Sequence, residues 1–273
     1  MPEQFAADWL ALREPADHAA RPDQLARRLT EELPATRPLR IADLGAGAGS
    51  NLRYLAPRLP HPQQWWLIDH DHELLTRAGS TEPRPAVACG TAGVTATPHA
   101  ADLADFPACL PAAVDLVTAS ALLDLVTDDW IERLADYCTA RGLPALLALS
   151  FDGRMELSPA LPDDALIKAT VLDHQRGEKD MGRALGPEAA ATADAAFSRR
   201  GATVIRRRSD WQLTPAEAPL QRLLLQGWHE AAMAREPGER DRLDAWLDAR
   251  LTAVDHSHVR VGHEDVLALP CRG

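Results

Sequence analysis

Apolar residues in this chain fall in short runs that alternate with stretches of helical periodicity, an order typical of an α/β fold. Five short apolar runs predict strands at 39–44, 65–69, 94–99, 114–119 and 145–151. Stretches between them predict helices at 50–59, 72–78 and 128–141. Because strands alternate with helices, the strands are expected to lie in one mostly parallel sheet with helices on both faces.

The pattern changes on both sides of this alternating region. Apolar positions at helical spacing predict two N-terminal helical segments, 5–12 and 22–33, and Pro15 is expected to break the helix between them. Residues 152–186 are polar and rich in Asp, Gly and His. Beyond them the pattern predicts a helix at 187–200, a sixth strand at 202–213, a helical insertion at 216–251 and a last strand at 259–269.

These elements predict one domain over residues 1–273. Its expected parts are an N-terminal helical cap (1–38), a core (39–151) and two insertions (152–186 and 216–251).

The loop after the first strand carries the most specific motif of the chain. The sequence Asp43-Leu44-Gly45-Ala46-Gly47-Ala48-Gly49-Ser50 places three glycines at alternate positions. Glycine permits positive φ and a close approach of a ligand to the backbone. A dinucleotide fingerprint needs a third glycine where this chain has Ser50. The carboxylate of Asp43 would repel a diphosphate but suits a ligand with an ammonium group.

This loop resembles motif I of the class I S-adenosylmethionine (SAM) methyltransferases, and three later stretches match that family in order. Trp65-Trp66-Leu67-Ile68-Asp69 ends in the acid that takes both ribose hydroxyls in the family, a role that suits a carboxylate. Asp102 occupies the position that contacts the adenine amino group. The strand ending in Ser120 and the following Ala121-Leu122-Leu123-Asp124 resemble motif IV, whose loop closes over the methionine part of SAM.

The resemblance covers roughly residues 40–150. It implies a Rossmann-like, seven-stranded mixed sheet with an antiparallel last strand, helices on both faces, and helical lid insertions. The core (39–151) would then bind the cofactor, and the two insertions (152–186 and 216–251) would lie on the substrate side. The second insertion is expected to form a lid, because the family's minimal fold has only a hairpin there. It also implies SAM as cofactor, with S-adenosylhomocysteine as product. The cofactor-binding residues that it implies are Asp43, Gly45, Ala46, Gly47, Gly49, Asn51, Asp69, His70, Asp102, Leu103 and Ser120.

Methyl transfer from SAM requires in-line alignment and, when the acceptor is protonated, a base. Asp124, directly after motif IV, and His174, in the first insertion, are the candidate catalytic residues. The elements around the expected mouth supply the candidate substrate-binding residues, which are Trp9, Arg13, Asp124, Phe151, Asp152, His174, Lys179 and Trp228.

The charge of the chain weighs against a polyanionic substrate. Its 29 basic and 40 acidic residues give a net charge of −11, whereas nucleic-acid binders need a basic face. Arg206-Arg207-Arg208 is interpreted as a solvated strand edge. The Asn/Asp-Pro-Pro-aromatic tetrapeptide of nucleic-acid amino-methyltransferases is absent, and the single Pro-Cys pair, Pro270-Cys271, is interpreted as a strand terminus. The predicted substrate is a small molecule, with no nucleic acid or membrane as partner.

The apolar runs, the first residues, the cysteines and the histidines bear on location and metal binding. We predict a cytoplasmic monomer or homodimer without a metal. No apolar run approaches the ~18 residues of a membrane span, and the first residues lack a signal-peptide pattern. The four cysteines form no CxxC pair, which favours free thiols; they are Cys89, Cys109, Cys138 and Cys271. His256, His258 and His263 lack the paired spacing of a metal site.

Three alternatives to a methyltransferase stay open at this point. A SAM-using enzyme of the cyclase or lyase type could share the fold and the cofactor without methylating an acceptor. An NAD(P)-dependent oxidoreductase could use Asp69 for its ribose, although Asp43 and Ser50 oppose it. A protein that only binds its ligand is the third alternative.

Overall fold

A computed structural model describes residues 7–34, 37–59, 62–80 and 93–271; Cys89 lies outside these ranges. The helices of the described chain are α1 (Ala7–Ala20), α2 (Asp23–Thr30), α3 (Ser50–Leu55), α4 (His72–Ser80), α5 (Asp128–Ala140), α6 (Asp164–Gln175), α7 (Ala189–Arg199), α8 (Ala218–Arg235) and α9 (Arg240–Ala253). The strands are β1 (Leu39–Leu44), β2 (Gln63–Asp69), β3 (Val94–Ala100), β4 (Leu116–Ser120), β5 (Ala145–Ser158), β6 (Glu178–Lys179), β7 (Gly182–Arg183), β8 (Thr203–Arg208), β9 (Trp211–Leu213) and β10 (His258–Leu269).

The main sheet has the strand order β3-β2-β1-β4-β5-β10-β8, and β9 pairs with β10 off this path. Strands β1 to β5 run parallel, whereas β10 is antiparallel to β5, β8 and β9. This order confirms the predicted Rossmann-like mixed sheet with an antiparallel last strand, which is the fold of the class I SAM methyltransferases. The described sheet has eight strands instead of the predicted seven, because β9 is a separate short strand that pairs with β10. The order reverses between β1 and β4, and ligands of open α/β sheets bind at such a reversal.

Apolar side chains bury both faces of this sheet. One face packs on α5 and α7, with Leu134 and Phe197 in its centre. The opposite face packs on α2, α3 and α4, and includes Leu29 from the predicted apolar stripe of α2. A third cluster joins the outer ends of β5 and β10 to β9, α6, α8 and α9. Apolar packing therefore covers both faces of the sheet and the outer ends of β5 and β10.

The prediction that Pro15 breaks the first helix is wrong. Helix α1 is continuous from Ala7 to Ala20, with Pro15 inside it and exposed. Side chains beyond the proline hold the helix in place, since Trp211 Nε1 donates to Asp17 Oδ1 at 3.0 Å. Because the proline ring faces solvent, the helix loses one backbone hydrogen bond but no packing.

Two other elements differ from the predicted pattern. Strand β5 continues to Ser158 because it pairs with β10 over its whole length, and helix α6, for which no bounds were predicted, follows it within the polar segment 152–186. The predicted strand 202–213 is two strands, β8 and β9, separated by Ser209 and Asp210. Ser209 Oγ donates to Asp265 Oδ1, at 2.5 Å, and Asp210 accepts hydrogen bonds from Arg154.

The bend of β10 requires a glycine. A Cβ on Gly262 would lie 2.1 Å from Asp152 Oδ1 and 2.7 Å from Arg154 Cβ. Gly262→Ala is therefore expected to lower the free energy of unfolding by about 1–3 kcal/mol, the usual cost of overpacking. Urea unfolding checks this, with Gly238→Ala as the control, because a Cβ there meets no atom within 4 Å. Equal midpoints for the two variants would contradict the prediction.

Candidate active site

A cavity of about 910 Å³ opens at the carboxyl edge of the parallel strands. Its inner wall comes from the loops after β1, β2, β3 and β4. Its outer wall comes from α1 and from residues 174–181, which contain the end of α6 and the β6–β7 hairpin. The cavity therefore joins the predicted cofactor loops to the predicted substrate-side segments.

The glycine loop approaches the cavity with its backbone. Gly45, Gly47 and Gly49 have φ of +64°, +50° and +81°, in the region that favours glycine. A Cβ on Gly45 would lie 3.2 Å from Cδ1 of Leu122, which also lines the cavity. Gly45 and Gly47 line the cavity with Ala46, whereas Gly49 faces Ala78 and Arg53 instead.

The N–H groups of this loop are satisfied within the protein. The amides of Gly45 and Ala46 donate to Ile68 O at 2.9 and 3.1 Å, and the amide of Gly49 donates to Ala46 O at 2.8 Å. The amide of Gly47 donates to Asp69 Oδ2 at 2.8 Å. These four donors are therefore already engaged, unlike the N–H groups with which phosphate loops hold an anion.

Asp69 lies at the centre of the inner wall. One oxygen accepts from Gly47, and the other accepts from the amide of Asp71 at 3.0 Å. A carboxylate has about four lone-pair positions, so roughly two remain toward the cavity. His70, predicted beside it, also lines the cavity, with its Nδ1 3.5 Å from Asp69 Oδ1.

The loops after β3 and β4 complete the inner wall. Asp102 is exposed and accepts from the amide of Ala104 at 2.8 Å, and Leu103 is buried beside it. Ser120 lines the cavity next to Ala121, a non-glycine residue with φ of +53°. Such backbone strain in a cavity wall is typical of functional sites.

Asp43 lies beneath this wall and does not line it. It is fully buried, and Asn51 Nδ2 donates to its Oδ1 at 2.7 Å. Asn51 itself lines the cavity. Burial raises the pKa of Asp43 to about 7, and it outweighs the lowering effects of the Asn51 hydrogen bond and the Arg21 charge.

Helix α1 brings polar side chains to the outer wall. Arg13 lines the cavity and pairs with Asp17 at 2.9 Å, and its guanidinium lies 5.1 Å from the ring centroid of Trp211. Glu14 forms an ion pair with Arg53, whose Nη1 donates to Ala48 O at 2.7 Å. The sequence analysis missed Glu14 and Asp17, because it expected Pro15 to break the helix that places them on the cavity wall.

The first insertion supplies the rest of the outer wall. His174, in the last turn of α6, and Lys179, in the β6–β7 hairpin, both line the cavity, as do Asp180 and Met181. Helix α6 is anchored at its other end, where Asp164 accepts from Trp246 Nε1 at 2.9 Å and pairs with the buried Arg250. No residue of 216–251 is among the lining residues of the described chain; the second insertion contacts α6 instead.

Five of the predicted catalytic and substrate-binding residues do not line the cavity. Phe151 and Trp228 are buried in the third apolar cluster, and Trp9 packs against that cluster. Asp152 forms an ion pair with Arg154. Asp124 is half-buried in a turn of 3-10 helix, between Leu122 and Leu125, which do line the cavity. Their functional roles remain predictions.

Among the charged side chains of the cavity wall, acidic residues outnumber basic ones. Among the lining residues, all within the described ranges, seven carboxylates face four Arg or Lys side chains. The acidic residues are Glu14, Asp17, Asp69, Asp71, Asp102, Glu178 and Asp180. This balance favours a ligand with positive charge over a polyanion.

In the part of the chain that the structure describes, no three His, Cys, Asp or Glu side chains are grouped so that they could hold a metal ion. Burial lowers the pKa of His263 to about 3. Within the same ranges, the helices are too short or too polar to cross a bilayer.

No protein-family model and no curated protein matches the chain. Among solved structures, it is similar to phosphoethanolamine N-methyltransferase 2 of Haemonchus contortus, solved with S-adenosylhomocysteine (15% identity, TM-score 0.42). The match covers 92% of this chain and 53% of that one, so the chain spans about half of that protein. It is also similar to the cyclopropane synthase MmaA2 of Mycobacterium tuberculosis (13% identity, TM-score 0.48, 97% and 94% covered).

The YcgJ protein of Bacillus subtilis gives a third likeness, with 14% identity, a TM-score of 0.47, and 91% and 99% of the two chains covered. At such identities and TM-scores these likenesses carry nothing about ligand or activity. The class of the fold rests on the strand order of the sheet.

Proposed function

We propose that the protein binds SAM in the main cavity and transfers its methyl group to a small molecule. The observation that carries this proposal is the cavity at the β1–β4 reversal, with the Gly45–Gly47 backbone and the Asp69 carboxylate on one wall. Because 910 Å³ is at the upper end of the usual volume of ligand pockets, it has room for a cofactor and a small acceptor.

The residues of the inner wall fit the parts of SAM. The remaining lone pairs of Asp69 suit a vicinal diol, and the exposed Asp102 beside the apolar Leu103 suits an adenine with its amino group. Asp43 Oδ2 is buried with no hydrogen-bond partner in the described chain, which suits a cationic ligand above it. The excess of acidic over basic side chains on the wall suits both the sulfonium and the ammonium groups.

The same residues fit a dinucleotide poorly. A pyrophosphate is bound by backbone N–H groups at a helix N-terminus, but the N–H groups of Gly45, Ala46, Gly47 and Gly49 donate to protein oxygens. The carboxylates of the wall would repel a diphosphate. This supports SAM over NAD as the ligand.

When bound, SAM supplies a methyl group on a sulfonium that is already activated for transfer. The chain then has to align the acceptor and exclude water. Helix α1 and residues 174–181 cover the cavity on the acceptor side. His174 is the candidate that takes the acceptor's proton, because it lies on this wall, whereas Asp124 does not.

Thermal unfolding tests the choice of ligand. S-adenosylhomocysteine at 100 times its dissociation constant is expected to stabilise the protein by about 2.7 kcal/mol, whereas NAD at the same concentration leaves the melting temperature unchanged. A shift with NAD alone would contradict the proposal. Incubation with SAM and acceptor libraries then distinguishes methyl transfer, which yields S-adenosylhomocysteine, from lyase chemistry, which yields methylthioadenosine.

A further inference from the structure

A buried cluster of charges lies directly beneath the cavity wall. Arg21, between α1 and α2, is 6% exposed, and its guanidinium lies 4.0 Å from the ring centroid of Tyr54. Its Nη1 donates to Asn51 Oδ1 at 2.8 Å, and its Nε lies 3.7 Å from Asp265 Oδ2. Since Asn51 donates to Asp43, this arginine links the cavity wall to two buried carboxylates.

The carboxylates of this cluster outnumber its cations. Asp43 and Asp265 are 0% and 2% exposed, and both depend on Arg21 for a positive charge. Asp69 on β2 adds a further negative charge toward Asp43. Asp17 on α1 also faces Arg21, but it is paired with Arg13. One cation cannot stabilise two buried carboxylates fully as anions, so one of them is poised to hold a proton.

The other groups around Asp43 are neutral. Asn51 of α3 donates to Asp43 and also to Thr118 Oγ1 of β4, at 3.1 Å, and Thr118 donates to Leu146 O at 2.8 Å. These contacts fix the orientation of the amide but add no charge. The protonation of Asp43 therefore depends on Arg21, on the negative charges of Asp265 and Asp69, and on any cation that enters the cavity above Asn51.

Resting on the proposed function, we propose that Arg21 is a positioning residue that controls the protonation of Asp43 and thereby the affinity of the cavity for the ammonium-bearing cofactor. Arg21 does not line the cavity. It acts through Asn51 and through its charge. Entry of the cationic ligand favours the anionic form of Asp43, so binding releases a proton from this carboxyl group.

The sign of the pH dependence follows from this linkage. The pKa of Asp43 is raised to about 7 in the ligand-free protein, and a bound cation lowers it again. Affinity is therefore highest above pH 7 and falls below it, by at most about tenfold per pH unit while ligand-free Asp43 is protonated and bound Asp43 is not.

Calorimetric titration with S-adenosylhomocysteine between pH 5.5 and 8, in buffers of different ionisation enthalpy, measures both affinity and proton release. The wild type is expected to bind more tightly as the pH rises to about 7 and to release protons around that pH. Asp43→Asn should abolish this rise. Arg21→Met should shift it to higher pH, with affinity about tenfold lower at pH 7 that recovers at pH 8.

Two further variants complete the test, one with an opposite expected effect and one as a control. Asp265→Asn leaves Asp43 as the only one of the two carboxylates that interacts with Arg21. It should therefore shift the rise of affinity to lower pH, opposite to Arg21→Met, and it provides the test if Arg21→Met does not fold. Arg58→Met removes the other arginine at Tyr54, 3.8 Å from its ring centroid, and should leave the pH profile unchanged.

A uniform loss of affinity at every pH in Arg21→Met would overturn the inference, because it would show a merely structural role. A rise that survives Asp43→Asn would overturn it as well. If the wild type binds no S-adenosylhomocysteine at any pH, the proposed function itself fails. Binding by the wild type that does not change with pH leaves the proposed function standing and removes only this inference.

Discussion

Asp69→Ala is expected to weaken the binding of S-adenosylhomocysteine by about 100-fold. The cofactor's ribose diol would lose a charged acceptor, and a hydrogen bond to a charged group contributes about 1.5–3 kcal/mol. The same change removes the acceptor of the Gly47 amide, at 2.8 Å, which holds the glycine loop against the cavity. Calorimetric titration measures the loss of affinity, and circular dichroism shows whether the fold is retained.

Asp102→Ala is the matched control, because Asp102 belongs to the same wall but would contact a single adenine amino group. Its expected effect is smaller, about 0.5–1.5 kcal/mol, because Asp102 is exposed and would accept only one hydrogen bond from the ligand. Equal binding by Asp69→Ala and the parent protein would show that the ribose lies elsewhere. If Asp102→Ala lost more affinity than Asp69→Ala, the assignment of Asp69 to the ribose and of Asp102 to the adenine would be reversed.

The core of the fold could be predicted because its signals are local. An apolar run followed by Asp43 and three glycines indicates both the strand and the sharp turn, and the same holds for the run that ends in Asp69. The strand order and the antiparallel last strand agree with the family that these landmarks resemble. The inner wall of the cavity was predicted for the same reason.

The outer wall of the cavity was harder to predict than the inner wall, because it depends on contacts between distant parts of the chain. Trp211 donates a hydrogen bond to Asp17, which is 194 residues away in the sequence. This contact holds the part of α1 that follows Pro15. Arg21 is one charged residue in a turn, and only the folded chain places it between Asp43 and Asp265. Helix α6 lies in a segment whose polar composition concealed the buried Ile167 and Val171.

The strain at the cavity also gave no signal in the sequence. Ala121 has φ of +53°, a conformation for which glycine or asparagine would have been the expected residue. Its amide donates to Ala148 O at 2.9 Å, so the hydrogen bond to β5 fixes the turn after β4. Tertiary structure here overrides local preference next to the cavity, where the reactive groups of cofactor and acceptor are proposed to meet.

His174→Ala is expected to lower kcat by at least about 100-fold when the acceptor must lose a proton, because general base catalysis contributes about 10²–10⁴. The affinity for S-adenosylhomocysteine should stay within about threefold, under 1 kcal/mol, because the cofactor is proposed to bind against the inner wall. Formation of S-adenosylhomocysteine with an accepted substrate measures the first quantity, and calorimetric titration measures the second.

His229→Ala is the matched control for this change. His229 lies outside the cavity wall and bonds Asp244 at 2.7 Å, so its loss should leave kcat unchanged. Asp124→Asn tests the second candidate base, and it is expected to change turnover little because Asp124 does not line the cavity. If Asp124→Asn loses activity while His174→Ala keeps it, the base is Asp124, and the turn between Leu122 and Leu125 must open toward the acceptor. Full activity in both variants would show that alignment and exclusion of water suffice for this reaction.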